Sequence, residues 1–176
     1  VVGTHDTSGE VGAERGVVFN NVGSKVYVVE GSAPHEVNEY DLGLNYDITF
    51  AIANSSFGFG DQVGTGNVEA IRFNNDGTKM FTVGKTGSEA FVWEYALGTA
   101  FDVSTASYTD NFSVDSQDND PRGLAFNADG TKMFIVGNQN DKVYEYSLST
   151  GFDLNVAAGG GDGGGDGGGD GGGDVD

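Results

Sequence analysis

A segment of about 53 residues occurs three times in this chain, and this repetition limits the possible folds more than any other feature. The stretches that align without gaps are RGVVFNNVGSKVYVV, EAIRFNNDGTKMFTV and RGLAFNADGTKMFIV. Their shared phenylalanines, Phe19, Phe73 and Phe126, are 54 and 53 residues apart. A fixed period of this length is typical of repeat architectures, in which each repeat is one supersecondary unit. The chain is therefore expected to fold as three similar units.

Each repeat has the composition of short β-strands joined by tight turns. A second matching piece follows each first one, as EVNEYDLGLNYDI, FVWEYALGTAFDV and KVYEYSLSTGFDL. These runs are rich in Val, Phe and Tyr and are separated by turn signals such as Asn75-Asp76-Gly77. Gly77 and Gly130 are expected to take the positive φ that a tight hairpin requires. No segment has sustained helical periodicity, so the sequence predicts an all-β fold.

A fourth strand per repeat is predicted from the aromatic residues that precede the next repeat. Phe59 and Phe112 each stand ten residues before the next repeat begins. The third repeat lacks such a run, whereas His5 stands ten residues before Arg15 of the first repeat. We therefore predict three four-stranded antiparallel units, with an N-terminal strand completing the last one. The units span about residues 11–64, 65–117 and 118–158 plus 1–10, and together they form one domain of residues 1–158.

The stretch RGLAFNADGTKMFIVGNQNDKVYEYSLSTGFDL resembles a β-propeller repeat of the broad YVTN, NHL and lactonase-like kind. The third unit matches the pattern of these repeats best, through Pro121, Gly123, Phe126 and Asp129-Gly130. The second unit has Ala70 in place of the glycine, and the first has Val22 in place of the aspartate. The resemblance covers about residues 11–158 and implies propeller-like blades.

The resemblance leaves part of the fold and most of the function open. Closed propellers typically have about four to eight blades, whereas this chain has three repeats. A β-prism or a β-trefoil-like fold with pseudo-threefold symmetry is therefore the alternative. Blades of this kind host many unrelated functions, so the motif indicates an architecture rather than a ligand.

The charge and the termini of the chain limit its partners and its location. The formal net charge is −19 at pH 7, and such a surface repels the phosphates of nucleic acids. No run of apolar residues is long enough to span a bilayer, so membrane insertion is not expected. The chain begins at Val1 rather than Met and contains no Cys. We expect an exported protein that is extracellular or on the cell surface.

Few residues point to catalysis. His5 and His35 are the only imidazoles, and they are far apart in sequence and not repeated, which argues against an activated nucleophile. Propeller lactonases, which the repeat resembles, hold a divalent metal with acidic and amide ligands at the mouth of the central channel. The predicted innermost strands, GVVFN, AIRFN and GLAFN, contain Arg72 as their only charged residue. We therefore expect no enzymatic activity.

Two sets of carboxylates are candidates for a specific role. Hard cations take several oxygens from one loop, so the loop DSQDNDPRG makes Asp115, Asp118 and Asp120 candidate ligands for Ca²⁺. No other cofactor is expected. The second set recurs at one position of the repeat and consists of Glu39, Glu94 and Glu145. These glutamates are expected to pair across strands with the repeated lysines Lys25, Lys79 and Lys132.

Residues 159–176 form a Gly/Asp-rich tail of low complexity, with four copies of Gly-Gly-Gly-Asp. In an extended chain, a period of four places the tail aspartates on one edge. These residues, Asp162, Asp166, Asp170 and Asp174, are predicted to serve assembly or to carry modifications.

These features together favour a non-enzymatic structural or adhesive repeat protein. In this interpretation the tail links the protein into a filament or surface assembly, and the partner is the same protein, as further copies or as further chain. The alternative is a propeller that binds a glycan or another ligand. The third hypothesis is a lactonase-like metal hydrolase.

Overall fold

The computed structural model describes residues 3–7 and 13–158, and the described part folds almost entirely into three antiparallel β-sheets. The first sheet consists of β1 (Glu14–Phe19), β2 (Lys25–Glu30), β3 (Glu36–Asp41) and β4 (Ile52–Gly58). The second sheet consists of β5 (Asn67–Phe73), β6 (Lys79–Thr86), β7 (Glu89–Leu97) and β8 (Ala106–Ser113). The third sheet consists of β9 (Pro121–Phe126), β10 (Lys132–Gly137), β11 (Lys142–Leu148) and the short β12 (Ala157–Ala158).

Strands follow one another in sequence order within each sheet, so every sheet is a simple meander. A short helix, α1 (Gly60–Val63), connects the first sheet to the second, and a 3-10 turn precedes the last strand of the second and third sheets. The first strands of the sheets, which we call the inner strands, lie side by side, with β1 beside β5 and β5 beside β9. This arrangement is that of propeller blades arranged in an arc, and it confirms the predicted all-β, propeller-like fold.

The turn between the first two strands of each blade is formed by residues that recur in the repeats. In the second blade, the side chain of Asn74 accepts a hydrogen bond from the backbone N–H of Lys79 over 2.9 Å, and Asp76 accepts one from Thr78 over 3.0 Å. Gly77 has a φ of 73°, in the left-handed region that an L side chain rarely adopts. Gly130 has a φ of 72° in the third blade, so both positive φ angles predicted from the sequence are confirmed.

The hydrophobic core lies between the sheets. Tyr27 and Val29 of the first blade are fully buried in one cluster with Ile71 and Tyr95 of the second blade. A second cluster joins the other face of the second blade to the third in the same way. The faces of neighbouring blades therefore stabilise each other by burying apolar side chains, which is the main favourable term in folding.

The repeated glutamates pair with the repeated lysines, as predicted, and two of them, Glu39 and Glu94, lie at these junctions. Lys25 binds Glu39, and Nζ of Lys79 is 2.7 Å from Oε1 of Glu94. The third pair, Lys132 and Glu145, has a separation of 2.5 Å. The first two glutamates are almost fully buried, whereas Glu145 is exposed.

The prediction that an N-terminal strand completes the third sheet is wrong for the described residues. The fourth strand of that sheet comes from Ala157–Ala158, which pair with the end of β11. Residues 3–7 form no strand and lie against the first blade, where the ring of His5 is 5.0 Å from the ring of Tyr40. The chain turns back after Leu148 through a second 3-10 turn, as it does in the second blade, and so supplies this short strand itself.

Candidate functional site

Three charged side chains from three blades converge at one end of the inner strands. Arg15, Glu69 and Arg122 occupy the same position of the repeat, near the start of β1, β5 and β9. Since these strands lie side by side, Glu69 stands between the two arginines, hydrogen-bonded to Arg122 and 4.0 Å from Arg15. We call this group the Arg-Glu-Arg row.

This row was not predicted from the sequence, because the predicted inner strands begin too late to include it. The predicted strands GVVFN, AIRFN and GLAFN exclude the position of the row, whereas β1, β5 and β9 begin at Glu14, Asn67 and Pro121. The statement that the inner strands carry only Arg72 as a charge is therefore wrong. The alignment of the repeats contained the signal, because it places Arg, Glu and Arg in one column.

Glu69 is the buried centre of the row. Its Oε1 accepts hydrogen bonds from Nη1 of Arg122 over 3.0 Å and from Nδ2 of Asn67 over 2.7 Å. Its Oε2 lies 4.0 Å from Nη1 of Arg15. The Glu69 side chain is 5% exposed, whereas the side chains of Arg15 and Arg122 are 40% and 41% exposed. A buried carboxylate thus holds two guanidinium groups that still face solvent.

Asp120 extends the row on the side of the third blade. It lies 2.8 Å from Nη2 of Arg122 and 3.1 Å from Nζ of Lys85, and it accepts a hydrogen bond from Asn138. Partial burial acts to raise the pKa of Asp120, but the hydrogen bonds from Asn138, Arg122 and Lys85 outweigh it and lower this pKa to about 2. Hydrogen bonding to Asp120 in turn raises the pKa of Arg122. Both groups are therefore charged at neutral pH.

The three aspartates predicted to bind Ca²⁺ lie in one loop but have different partners. Asp118 is buried and accepts hydrogen bonds from the backbone N–H groups of Asp120 and Asn140, each over 2.9 Å. Asp115 accepts a weaker one from the backbone N–H of Ala90 over 3.3 Å. Within residues 3–7 and 13–158, no three acidic, His or Cys side chains are grouped to hold a metal ion. Binding of Ca²⁺ by this loop stays a prediction.

The four tail aspartates, Asp162, Asp166, Asp170 and Asp174, lie outside the described residues. Their roles in assembly or modification also stay predictions.

His35 is a buried imidazole at this end of the first blade. It is buried in the loop between β2 and β3, and its carbonyl oxygen accepts a hydrogen bond from the backbone N–H of Phe59 over 2.7 Å. Its Nδ1 is buried without a hydrogen-bond partner among the described residues. The loop lies at the same end of the sheet as the row, because Glu30 at the end of β2 pairs with Glu14 at the start of β1.

The Arg-Glu-Arg row has the chemistry of an anion-recognition site. A guanidinium presents several N–H donors in a fixed fork that matches the geometry of carboxylates and phosphates. The partly exposed guanidinium of Arg15 is the freer of the two, because Arg122 already binds two carboxylates. The site can therefore bind a carboxylate or phosphate, or a carbonyl oxygen on which negative charge develops.

No protein-family model matches the sequence, and no curated protein matches it significantly. Solved structures match the fold. A periplasmic gluconolactonase from Pseudomonas aeruginosa is similar with a TM-score of 0.58 and 16% identity, covering 77% of this chain and 36% of that one. A putative 6-phosphogluconolactonase from Bacteroides fragilis is similar with a TM-score of 0.58 and 10% identity, covering 81% of this chain and 36% of that one. A Lactobacillus plantarum protein has a TM-score of 0.57 and 12% identity, with coverages of 77% and 38%.

These similarities define the fold as that of lactonase-like β-propellers. At these identities, the likeness establishes the architecture. The chain spans a little over a third of the length of the structures it matches. Three blades are fewer than the roughly four to eight that a closed propeller typically contains.

The comparisons correct two expectations from the sequence. The expectations of a non-enzymatic structural or adhesive protein, and of no enzymatic activity, are wrong, because two of the three structures are named as lactonases. Nothing in these similarities supports a filament or an adhesive role. The expectations failed because they relied on inner strands without charged residues, whereas those strands carry the Arg-Glu-Arg row.

Among the described residues, no helix has the length and apolar character that crossing a membrane requires.

Proposed function

We propose that this chain forms part of a lactonase-like hydrolase that acts on sugar lactones. The observation that carries the proposal is the Arg-Glu-Arg row at the end of the inner strands of a lactonase-like propeller. Arg15, Glu69 and Arg122 come from three different blades and meet at one end of the inner strands. The two guanidinium groups favour a substrate that is acidic or that develops negative charge during the reaction.

In the proposed reaction, water attacks the lactone carbonyl, a new C–O bond forms and the ring C–O bond breaks to give a hydroxy acid. Arg15 donates hydrogen bonds to the carbonyl oxygen as negative charge develops there. Nη1 of Arg15 and Oε2 of Glu69 are 4.0 Å apart, a gap that one bridging water can span. Glu69 accepts the proton of the attacking water and returns it to the leaving alkoxide, so that the protons balance.

The test is a hydrolysis assay with gluconolactone and its 6-phosphorylated form, using a pH indicator to follow acid release. We expect the Arg15→Met variant to lose about tenfold to a hundredfold in kcat/KM, since a hydrogen bond to a charged group contributes about 1.5–3 kcal/mol. Glu69→Gln should reduce kcat by at least that factor because the proton acceptor is lost. A larger loss for the phosphorylated lactone in Arg15→Met would identify the arginine as the binding group for the phosphate.

The matched control is Lys142→Met, which removes one positive charge from an exposed side chain at the start of β11. Its kcat/KM should equal that of the unmodified protein. Equal losses in the control and in Arg15→Met would mean that net charge matters rather than the row. An absence of turnover with both lactones, in protein of known mass and intact fold, would contradict the proposal.

We also propose that the protein works outside the cytoplasm. The support is the periplasmic location named for one of the similar structures. Fractionation of cells that produce the protein, followed by immunodetection, tests this location, and recovery in the cytoplasm alone would contradict it.

A further inference from the structure

The third blade exposes the face that the other two blades bury. Val37 and Val92 are fully buried at one position of the repeat, whereas Val143 at the same position is 68% exposed. Val83 is fully buried in the second blade, whereas its counterpart Val136 is 43% exposed. We call this surface of the third blade the open face; it is formed by Phe134, Val136, Val143 and Glu145. An apolar groove of about 250 Å³ runs along it.

The two internal junctions define what such a face binds. At the first junction, Oε2 of Glu39 accepts a hydrogen bond from the backbone N–H of Val103 in the next blade over 3.0 Å. At the second, Oε2 of Glu94 accepts one from the backbone N–H of Leu154 over 3.0 Å. Glu145 occupies the same position on the open face. The equivalent partner of this face is therefore another blade that presents a backbone N–H in the same way.

The first blade carries that presenting loop. Tyr46 has a φ of 61°, and its counterparts Phe101 and Phe152 have 60° and 57°. Asp47 accepts a hydrogen bond from the backbone N–H of Thr49 over 2.9 Å. In the other blades, Asp102 and Asp153 each accept the same bond from the residue two positions later. Ile48 thus occupies the position of Val103 and Leu154.

An exposed valine marks the same side of the first blade. Val17 in β1 is 60% exposed, whereas its counterparts Ile71 and Leu124 are almost fully buried against a preceding blade. The first blade therefore has the same loop and the same apolar residue that the second and third blades use to contact the blade before them.

The N-terminal segment supplies a third matching element. Phe57 rather than Phe59 is the structural counterpart of Phe112, because the two lie opposite Val37 and Val92 in their sheets. The ring of Phe57 packs edge-on against Tyr95 of the next blade at 5.5 Å, and Phe112 packs against Tyr146 at 5.4 Å. His5 packs edge-on against Tyr40 at 5.0 Å. Residues 3–7 therefore lie where the fourth strand of a preceding blade would end. In the described residues, β11 pairs with β12 only at Ser147 and Leu148, so most of that edge has no fourth strand.

We propose that two copies of this chain associate head to tail into a closed ring of six blades. The open face of each copy binds the first blade of the other, and Glu145 of one copy accepts a hydrogen bond from the N–H of Ile48 of the other. The occupant is a second copy because this chain carries both halves of the junction, and a head-to-tail contact that closes yields a ring. Six blades fall within the usual range of about four to eight.

The register of the neighbouring strand follows from the internal junctions. Phe57 pairs with Val37 and Phe112 with Val92 across their own sheets. His5, as their counterpart, is therefore placed opposite Val143 of the other copy. This contact exists only in the proposed assembly, because His5 of a single copy lies on the first blade.

The first experiment measures the mass of the full chain by sedimentation velocity over a range of concentrations. We expect a dimer, and we expect Val143→Asp to raise its Kd at least tenfold, because the new charge would be buried in the junction. The control is Val22→Asp, which places the same charge on a valine that is 59% exposed in a hairpin turn. The control should remain a dimer. Val143→Asp should still unfold cooperatively as a folded monomer, which separates a loss of association from a loss of the fold.

The second experiment uses the absence of Cys in the chain. The double variant His5→Cys with Val143→Cys should give an intermolecular disulfide or a short bis-maleimide link, and either single variant should not. A monomer at all concentrations, or equal cross-linking in His5→Cys with Val22→Cys, would overturn the proposal. If the protein is a monomer, the occupant of the open face would instead be a further blade of a longer chain. These measurements do not involve catalysis, so their outcome is independent of the lactonase proposal.

Discussion

Glu94 in β7 accepts a hydrogen bond from the backbone N–H of Leu154 in the next blade over 3.0 Å. Its other oxygen lies 2.7 Å from Nζ of Lys79, and its side chain is 4% exposed. Burial of a carboxylate is unfavourable unless the group is both paired and hydrogen-bonded, and Glu94 has both partners. The carboxylate therefore joins two blades and satisfies a backbone donor at the same time.

Replacing Glu94 should destabilise the fold far more than replacing its exposed counterpart. We expect Glu94→Ala to lower the free energy of unfolding by about 2–3 kcal/mol, because it leaves the buried backbone N–H of Leu154 without its acceptor and leaves Lys79 with only the carbonyl of Phe152. Glu145→Ala should cost less than about 1 kcal/mol, since that side chain is 48% exposed. Urea unfolding, followed through the fluorescence of the buried Trp93 at low protein concentration, measures both. Equal losses would show that the junction bond contributes nothing.

The blade and its turns could be predicted from the sequence because their causes are local. Gly77 and Gly130 follow Asp in a tight turn, and a turn of this kind requires a positive φ whatever lies around it. The pairing of Lys79 with Glu94 was predictable for the same reason, since both residues recur in every repeat and lie on adjacent strands.

The open face could not be predicted because the repeats are alike. Val37, Val92 and Val143 are the same residue in the same local sequence, yet two are fully buried and one is exposed. The difference lies in whether a neighbouring blade is present, which no local pattern encodes. The N-terminal strand was assigned wrongly for a related reason: the spacing of His5 identifies a fourth-strand position but not the sheet to which it belongs.

Acid should weaken the connection between the second and third blades through Asp120. Its pKa is about 2 in the folded protein, below the ordinary value of 3.8, so the unfolded chain binds the proton more readily. The stabilisation from Asp120 is complete above about pH 4 and is lost as the pH falls toward 2. Unfolding midpoints measured between pH 5 and 2 should fall less steeply in Asp120→Asn than in the unmodified protein. An identical slope in the two proteins would contradict the assigned hydrogen bonds.

Alanine substitutions at two glycines with nearly the same φ distinguish the free-energy cost of backbone strain from that of a steric clash. Gly77 has a φ of 73° and Gly87 a φ of 61°, so alanine is disfavoured at both by about 1–2 kcal/mol. A methyl group at Gly77 would overlap the ring of Phe101, whereas one at Gly87 would meet nothing within 4 Å. Gly77→Ala should therefore lower the free energy of unfolding by about 1–3 kcal/mol more than Gly87→Ala does, as overpacking typically costs. Urea unfolding of both variants measures the difference. If the two losses are equal, Phe101 does not pack on this turn, and the left-handed backbone alone explains the glycine.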